Sequence, residues 1–96
     1  MELHDLLETV SDEQSFLAFV NALRKDREID VAVEKASPSS PYGPTHGGWE
    51  NVTIGSFLES ACSWAEDTGF GESQNLRGAS PWKKFAMFLY LGKIYE

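Results

Sequence analysis

Cysteine is almost missing from this chain. Cys62 stands alone among 96 residues, which excludes an internal disulfide and, because an isolated thiol is the usual pattern of a reducing compartment, predicts a cytoplasmic protein. Histidine is nearly as scarce, with His4 and His46 only. Without a Cys pair or a His-x-x-x-His spacing no zinc site is expected, and Asp67 to Glu72 offers too few oxygens in register for calcium, so neither metal nor cofactor is predicted. Long apolar runs are missing too. Nothing approaches the roughly 20 residues needed to cross a bilayer, and the opening Met1-Glu2-Leu3-His4-Asp5 carries acids where a secretory signal carries bases, so no membrane role is expected. Positive charge is the last shortage. Eight Lys and Arg face 15 Asp and Glu, a net charge of -7. Nucleic-acid affinity rests largely on basic side chains displacing phosphate counterions, so nucleic acid is not an expected partner.

What the chain does hold is apolar mass. A content of 42% apolar and 12% aromatic residues argues against disorder. At this length folding buries on the order of two thirds of the unfolded surface, so residues 1–96 are expected to form one domain. The acidity is uneven: residues 1–76 hold 14 acids and four Lys or Arg, whereas residues 77–96 hold Arg77, Lys83, Lys84 and Lys93 against Glu96. The simplest reading is an acidic surface on which a basic C-terminal element docks. The sharper one is an acidic patch that steers onto a basic partner protein.

Periodicity points to helices. Leu3, Leu6, Leu7 and Val10 have helical spacing at the N-terminus. Ser11 with Gln14 reads as a capping box that starts a helix at Asp12, and Phe16, Phe19, Val20 and Leu23 form its inner stripe. Ile29, Val31 and Val33 alternate with a strand's period. No Gly or Pro intervenes before Ser37-Pro38, however, and Arg24 with Glu28 would brace a helix at i, i+4, so helix is favoured through 35. Ser37 to Gly48 holds three Pro, three Gly and three Ser, the composition of a stiff loop. Its two P-x-x-P matches are read as rigidity rather than as polyproline ligands. Thr53 caps the next helix, Val52 and Phe57 occupy staple positions, and Phe57, Leu58, Ala61, Cys62, Trp64 and Ala65 form its apolar face. Gly69 and Gly71 stop it. After a polar loop from Gly71 to Ala79, Ser80-Pro81 opens a last helix with the stripe Trp82, Phe85, Phe88 and Leu89, in which Gly92 either ends the helix or lets it pack closely. The expected fold is all-α: a small bundle of three main helices, about 12–35, 54–68 and 81–91 or beyond, with a long Pro/Gly loop at 37–51.

Trp49-Glu50-Asn51-Val52-Thr53-Ile54, Phe57-Leu58-Glu59, Trp64 with Glu66-Asp67, Pro81-Trp82-Lys83, Phe85-Ala86, Phe88-Leu89 and Lys93-Ile94-Tyr95-Glu96 resemble a family of short bacterial proteins of unknown function. The shared pattern is W-E-N-x-T-[IL]-x-x-F-L-E, then a W-K-x-F-A helix and a terminal K-I-Y-E, and the resemblance runs from about Ser11 to the last residue. It implies a helical, bacterial, cytoplasmic domain with no assigned reaction and no catalytic residues to carry over. The Pro/Gly loop before Trp49 is longer than in many similar chains, so no role for Tyr42 or His46 is inherited.

Cys62, four residues from Leu58 on the apolar stripe, reads as a buried structural thiol, since a nucleophilic thiol needs an adjacent base. Gly69-Phe70-Gly71 lacks the Lys-Ser/Thr of a phosphate loop, and the sequon at Asn51-Val52-Thr53 is read as accidental without a secretory signal. The candidate binding residues are Tyr42, His46, Trp49 and Glu50. Tyr and Trp are enriched at interfaces, although Trp49 is also a natural core residue and a Glu-Asn pair before a helix commonly bonds backbone amides. The leading expectation is a non-enzymatic protein-interaction module, a monomer or weak homodimer. It would meet a basic protein partner through the loop and an acidic face of Glu59, Glu66 and Asp67, as an immunity or antitoxin protein would. The alternative is a small-ligand binder or enzyme that uses His46, Glu50 and Tyr42 under the loop. A third reading is a purely structural accessory domain.

Overall fold

The C-terminal helix organises the architecture, in a computed structural model that describes residues 2–74, 76 and 78–95. Among these residues four α-helices follow in order: α1 (Leu3–Glu8), α2 (Glu13–Ala36), α3 (Ile54–Thr68) and α4 (Pro81–Ile94), with a 3-10 turn at Glu72–Gln74. Among the described residues there is no strand. The fold is therefore all-α as expected, and α1 is the turn announced by the leucine spacing. All three earlier helices pack on α4, while α2 and α3 lie against α4 rather than against each other. Arg77 and Glu96, which belong to the C-terminal charge balance, lie outside the described residues.

Each long helix begins at a side-chain cap. In α2 the cap falls one residue later than the Ser11-Gln14 pairing predicts: the Asp12 carboxylate accepts from the Ser15 amide at 2.8 Å, and the Asp12 amide donates to Ser15 Oγ at 3.0 Å. A carboxylate suits the positive end of a helix better than a hydroxyl does. The Ser15 hydrogen bonds in turn hold the Asp12 carboxyl below its ordinary range. In α3, Thr53 and Ser56 form the reciprocal box, and Gly69 closes the helix at φ 60. In α4, Ser80 accepts from the Lys83 amide behind Pro81 in the first turn.

The 24 residues of α2 span about 36 Å at the usual helical rise, close to the longest dimension of the molecule, 42 Å. Its first half carries the core side chains Phe19 and Leu23, which cluster with Leu7, Val10, Trp49 and Ala86. Its second half carries Ile29, Val31 and Val33 on the outside, all exposed. Their alternation is that of a helix surface and not of a strand.

The α3–α4 contact depends on Gly92. A Cβ there would lie 2.9 Å from the Phe57 ring and 3.0 Å from the Phe57 carbonyl oxygen, so the glycine permits close approach and the helix runs on to Ile94. Because α3 has α4 as its principal neighbour, only a narrow face is covered: Ala61, Trp64 and Thr68 are buried. Leu58 and Cys62 are exposed. The expected burial of the Cys62 thiol is thereby corrected, since among the described residues no helix closes over that flank. Past the end of α3, Phe70 adopts a left-handed backbone at φ 56, held by ring contacts to Trp64 at 5.7 Å and Phe88 at 5.5 Å.

Candidate functional site

Asp26, Asp30 and Glu34 stand four residues apart on the inner line of α2, directly continuing the stripe of Phe19 and Leu23. Helical periodicity puts such residues on one face, and the Pro/Gly loop folds onto them. Asp30, 2% exposed, accepts from Thr45 Oγ1 at 2.5 Å and from the Gly47 amide at 2.8 Å, and pairs with Arg27 at 3.1 Å. Gly47 has no room for a side chain, since a Cβ would sit 2.9 Å from the Asp30 carboxylate. Glu34 accepts from the Ser39 hydroxyl at 2.6 Å, the Ser39 amide at 3.0 Å and the His46 amide at 3.0 Å. The Ser39 side chain, followed by the His46 amide, pulls the Glu34 carboxyl down to about 2. Asp26 accepts from the Trp49 indole at 2.9 Å and from Lys93 at 2.8 Å. A charged group removed from water is tolerable only when so partnered.

The far end of the loop is tied to α4. The Glu50 amide donates to the Lys93 carbonyl at 3.0 Å, and the Asn51 side-chain amide donates to the carbonyls of Gly92 and Tyr95, each at 3.0 Å. Asn51 thus satisfies the open carbonyls at a helix C-terminus instead of accepting from amides, as a turn residue would. Two cations approach Trp49, with Arg27 and Lys93 each 5.4 Å from its ring, an arrangement that adds cation–π attraction to its burial. Tyr95 donates to Asp67 at 2.5 Å, and that bond raises the Tyr95 hydroxyl's pKa.

The four loop residues proposed from sequence are therefore placed differently from one another. Trp49 is core, 5% exposed. His46 donates through Nε2 to the Ser37 carbonyl at 2.7 Å and has Glu34 at 3.4 Å. Glu50 is exposed, and Tyr42 projects from the loop, 96% exposed. A groove of about 410 Å³ opens between α2 and the start of α3. Leu23 and Trp49 are its most buried walls, Phe57 and Leu89 also line it, Val52, Ile54 and Leu58 form one rim, Arg24 stands on the α2 side, and Arg27 reaches from α2 across to the Val52 carbonyl. A second cavity beside it is lined by Arg27, Val31, Glu34, Lys35, Thr45 and Val52. Neither is lined by Tyr42, His46 or Glu50.

The pattern of a family of unknown function, DUF7660, matches residues 12–96. The chain belongs to that family. No curated protein and no solved structure matches it. In this DUF7660 chain the W-E-N-x-T run has visible mechanical work: Trp49 and Asn51 join the loop to α2 and α4, and Thr53 starts α3. Lys93 and Tyr95 of the terminal motif reach Asp26 and Asp67.

Glu59, Glu66 and Asp67 of the DUF7660 chain are all exposed on α3, with Asp67 engaged by Tyr95. The basic C-terminal residues do dock on acids elsewhere, Lys93 on Asp26 and Lys83 on Glu8 at 3.5 Å. Among the described residues no group of three or more His, Cys, Asp or Glu side chains is arranged to hold a metal ion, and no helix is long and apolar enough to cross a membrane. Sequence reading missed the three carboxylates of α2 and the groove. The first had a signal, acids at i, i+4 and i+8 in line with an apolar stripe; the second follows from helix arrangement and had none.

Proposed function

We propose that this protein is a non-enzymatic protein-interaction module whose contact surface is the groove between α2 and α3 together with the acidic flank of α3. One observation carries the reading: apolar side chains left open around a concave surface, with Ile54 81% exposed and Val52 and Leu58 about half exposed on the same rim. Contiguous exposed apolar surface edged by polar groups is the common mark of a protein contact. Of the loop groups that acid–base chemistry would need, the His46 ring is engaged with the Ser37 carbonyl at the end of α2, and none of His46, Glu50 and Tyr42 lines the groove. An immunity or antitoxin-like protein, with Glu59, Glu66 and Asp67 set against a basic site on its partner, is one form of this reading. Tyr42 would then add an aromatic anchor at the loop.

The test is affinity recovery from bacterial lysate at low and moderate salt, with wild type beside an Ile54→Asp/Leu58→Asp double variant of equal helix content by circular dichroism. A protein retained by wild type and lost by the variant is the expected result. Identical recoveries from the two would refute the reading.

A further inference from the structure

We infer that the groove receives an amphipathic helix with basic flanks, an inference that rests on the interaction reading above and names the partner's chemistry. The shape argument starts from α4. Since α2 and α3 both lie against α4 and not against each other, a lane is left between them, lined with aliphatic and aromatic side chains. An amphipathic helix laid in such a lane buries anchors at i, i+3 or i+4 and i+7. Ile54 and Leu58 stand four residues apart along one rim, and exposed Cys62 continues the same spacing. That line is on the order of 12 Å long at the helical rise, room for about two turns of a partner and two or three anchors.

Charge decides which helix. Both arginines at the groove already have partners: Arg24 pairs with Glu28 at 2.7 Å, and Arg27 holds Asp30 at 3.1 Å and donates to the Val52 carbonyl at 3.3 Å. On α3, by contrast, Glu59 and Glu66 are exposed and without an ion-pair partner among the described residues. The net charge of -7 adds to that negative field. A helix with basic flanks is attracted by both, and a second copy of this chain, bringing its own -7, is repelled.

The experiment uses two synthetic peptides with the same leucine pattern at helical spacing, one flanked by Lys and one by Glu, titrated into the isotopically labelled 96-residue chain and followed by NMR. The Lys peptide should shift the amides of Arg24, Ile54, Leu58 and Leu89 and bind about tenfold or more tightly than the Glu peptide at low salt, the gap narrowing as salt screens it. Ile54→Asp should remove the shifts. Equal affinity for the two peptides, or shifts away from the groove, overturns the inference. So does movement of the groove amides on dilution without peptide, which would identify a second copy as the occupant. If neither peptide binds but the Ile54→Asp/Leu58→Asp variant still loses a lysate partner, the helix inference falls while the interaction reading stands.

Discussion

Asp30 shows how a charged side chain becomes structural. Its carboxylate is buried and accepts from Thr45, Gly47 and Arg27, so removing it would take the shared acceptor from two loop donors and from a guanidinium that is only 29% exposed. Asp30→Ala should therefore cost about 2–4 kcal/mol, and Asp30→Asn less because an acceptor remains; urea denaturation of both variants measures the difference. Equal stability of Asp30→Ala and wild type would mean the loop is held elsewhere. Glu34 acts through pH. Its folded-state carboxyl lies at about 2 against an ordinary 4.5. It thus contributes stability that is full above 4.5 and is lost as pH falls from 4.5 toward 2. Over that window the thermal midpoint of wild type should drop more steeply than that of Glu34→Gln, and parallel slopes would remove Glu34 from the account. Single residues were only partly legible beforehand. Trp49 could be read as core from its size, but an acid in line with Leu23 reads as solvated until the loop that covers it is known.

At the scale of elements, α3 meets α4 through a contact that depends on the missing Cβ of Gly92. Gly92→Ala would press a methyl into the Phe57 ring and carbonyl, and overpacking of that kind costs about 1–3 kcal/mol. The carbonyl cannot move away without bending α3, but the ring can be shortened. Gly92→Ala/Phe57→Leu should accordingly recover part of the loss in a double-mutant cycle by chemical denaturation, whereas strict additivity would place the strain elsewhere. Helix existence was legible from periodicity and caps, because those signals are local: Thr53 with Ser56 and Gly69 bound α3 from within a short stretch. Which face of α3 is buried was not. Phe57, Leu58, Ala61, Cys62 and Trp64 make a stripe wider than one neighbour covers, and only the packing on α4 divides it into a buried side and an open one. The groove exists because of that division, so no motif could have announced it.

The whole molecule raises the question of what α1 contributes, since the family match begins at residue 12 and α1 precedes it. Leu7 and Val10 are 1% and 4% exposed and belong to the same cluster as Phe19 and Trp49. Leu3 and Leu6 pack at its edge, while no α1 residue lines the groove. Lys83 in addition donates to the Glu8 carbonyl at 3.3 Å, fastening the end of α1 to α4. A chain beginning at residue 12 would uncover Phe16 and Phe19 beside Trp82, whose ring lies 5.4 Å from Phe16. Two fully buried aliphatic side chains are worth about 1.5–3 kcal/mol each, a large part of the total for a domain this size. The shortened chain should therefore lose about 3 kcal/mol or more of unfolding free energy, melt at lower temperature and bind more of a hydrophobic dye than wild type does. At low temperature, where enough of it stays folded, its groove amides should still answer to the Lys-flanked peptide as wild type does. An unchanged melting midpoint would show that α1 is a removable cover. Lost stability together with lost peptide binding in the folded fraction would show that core and groove form one cooperative unit, which the separation of α1 from the groove argues against.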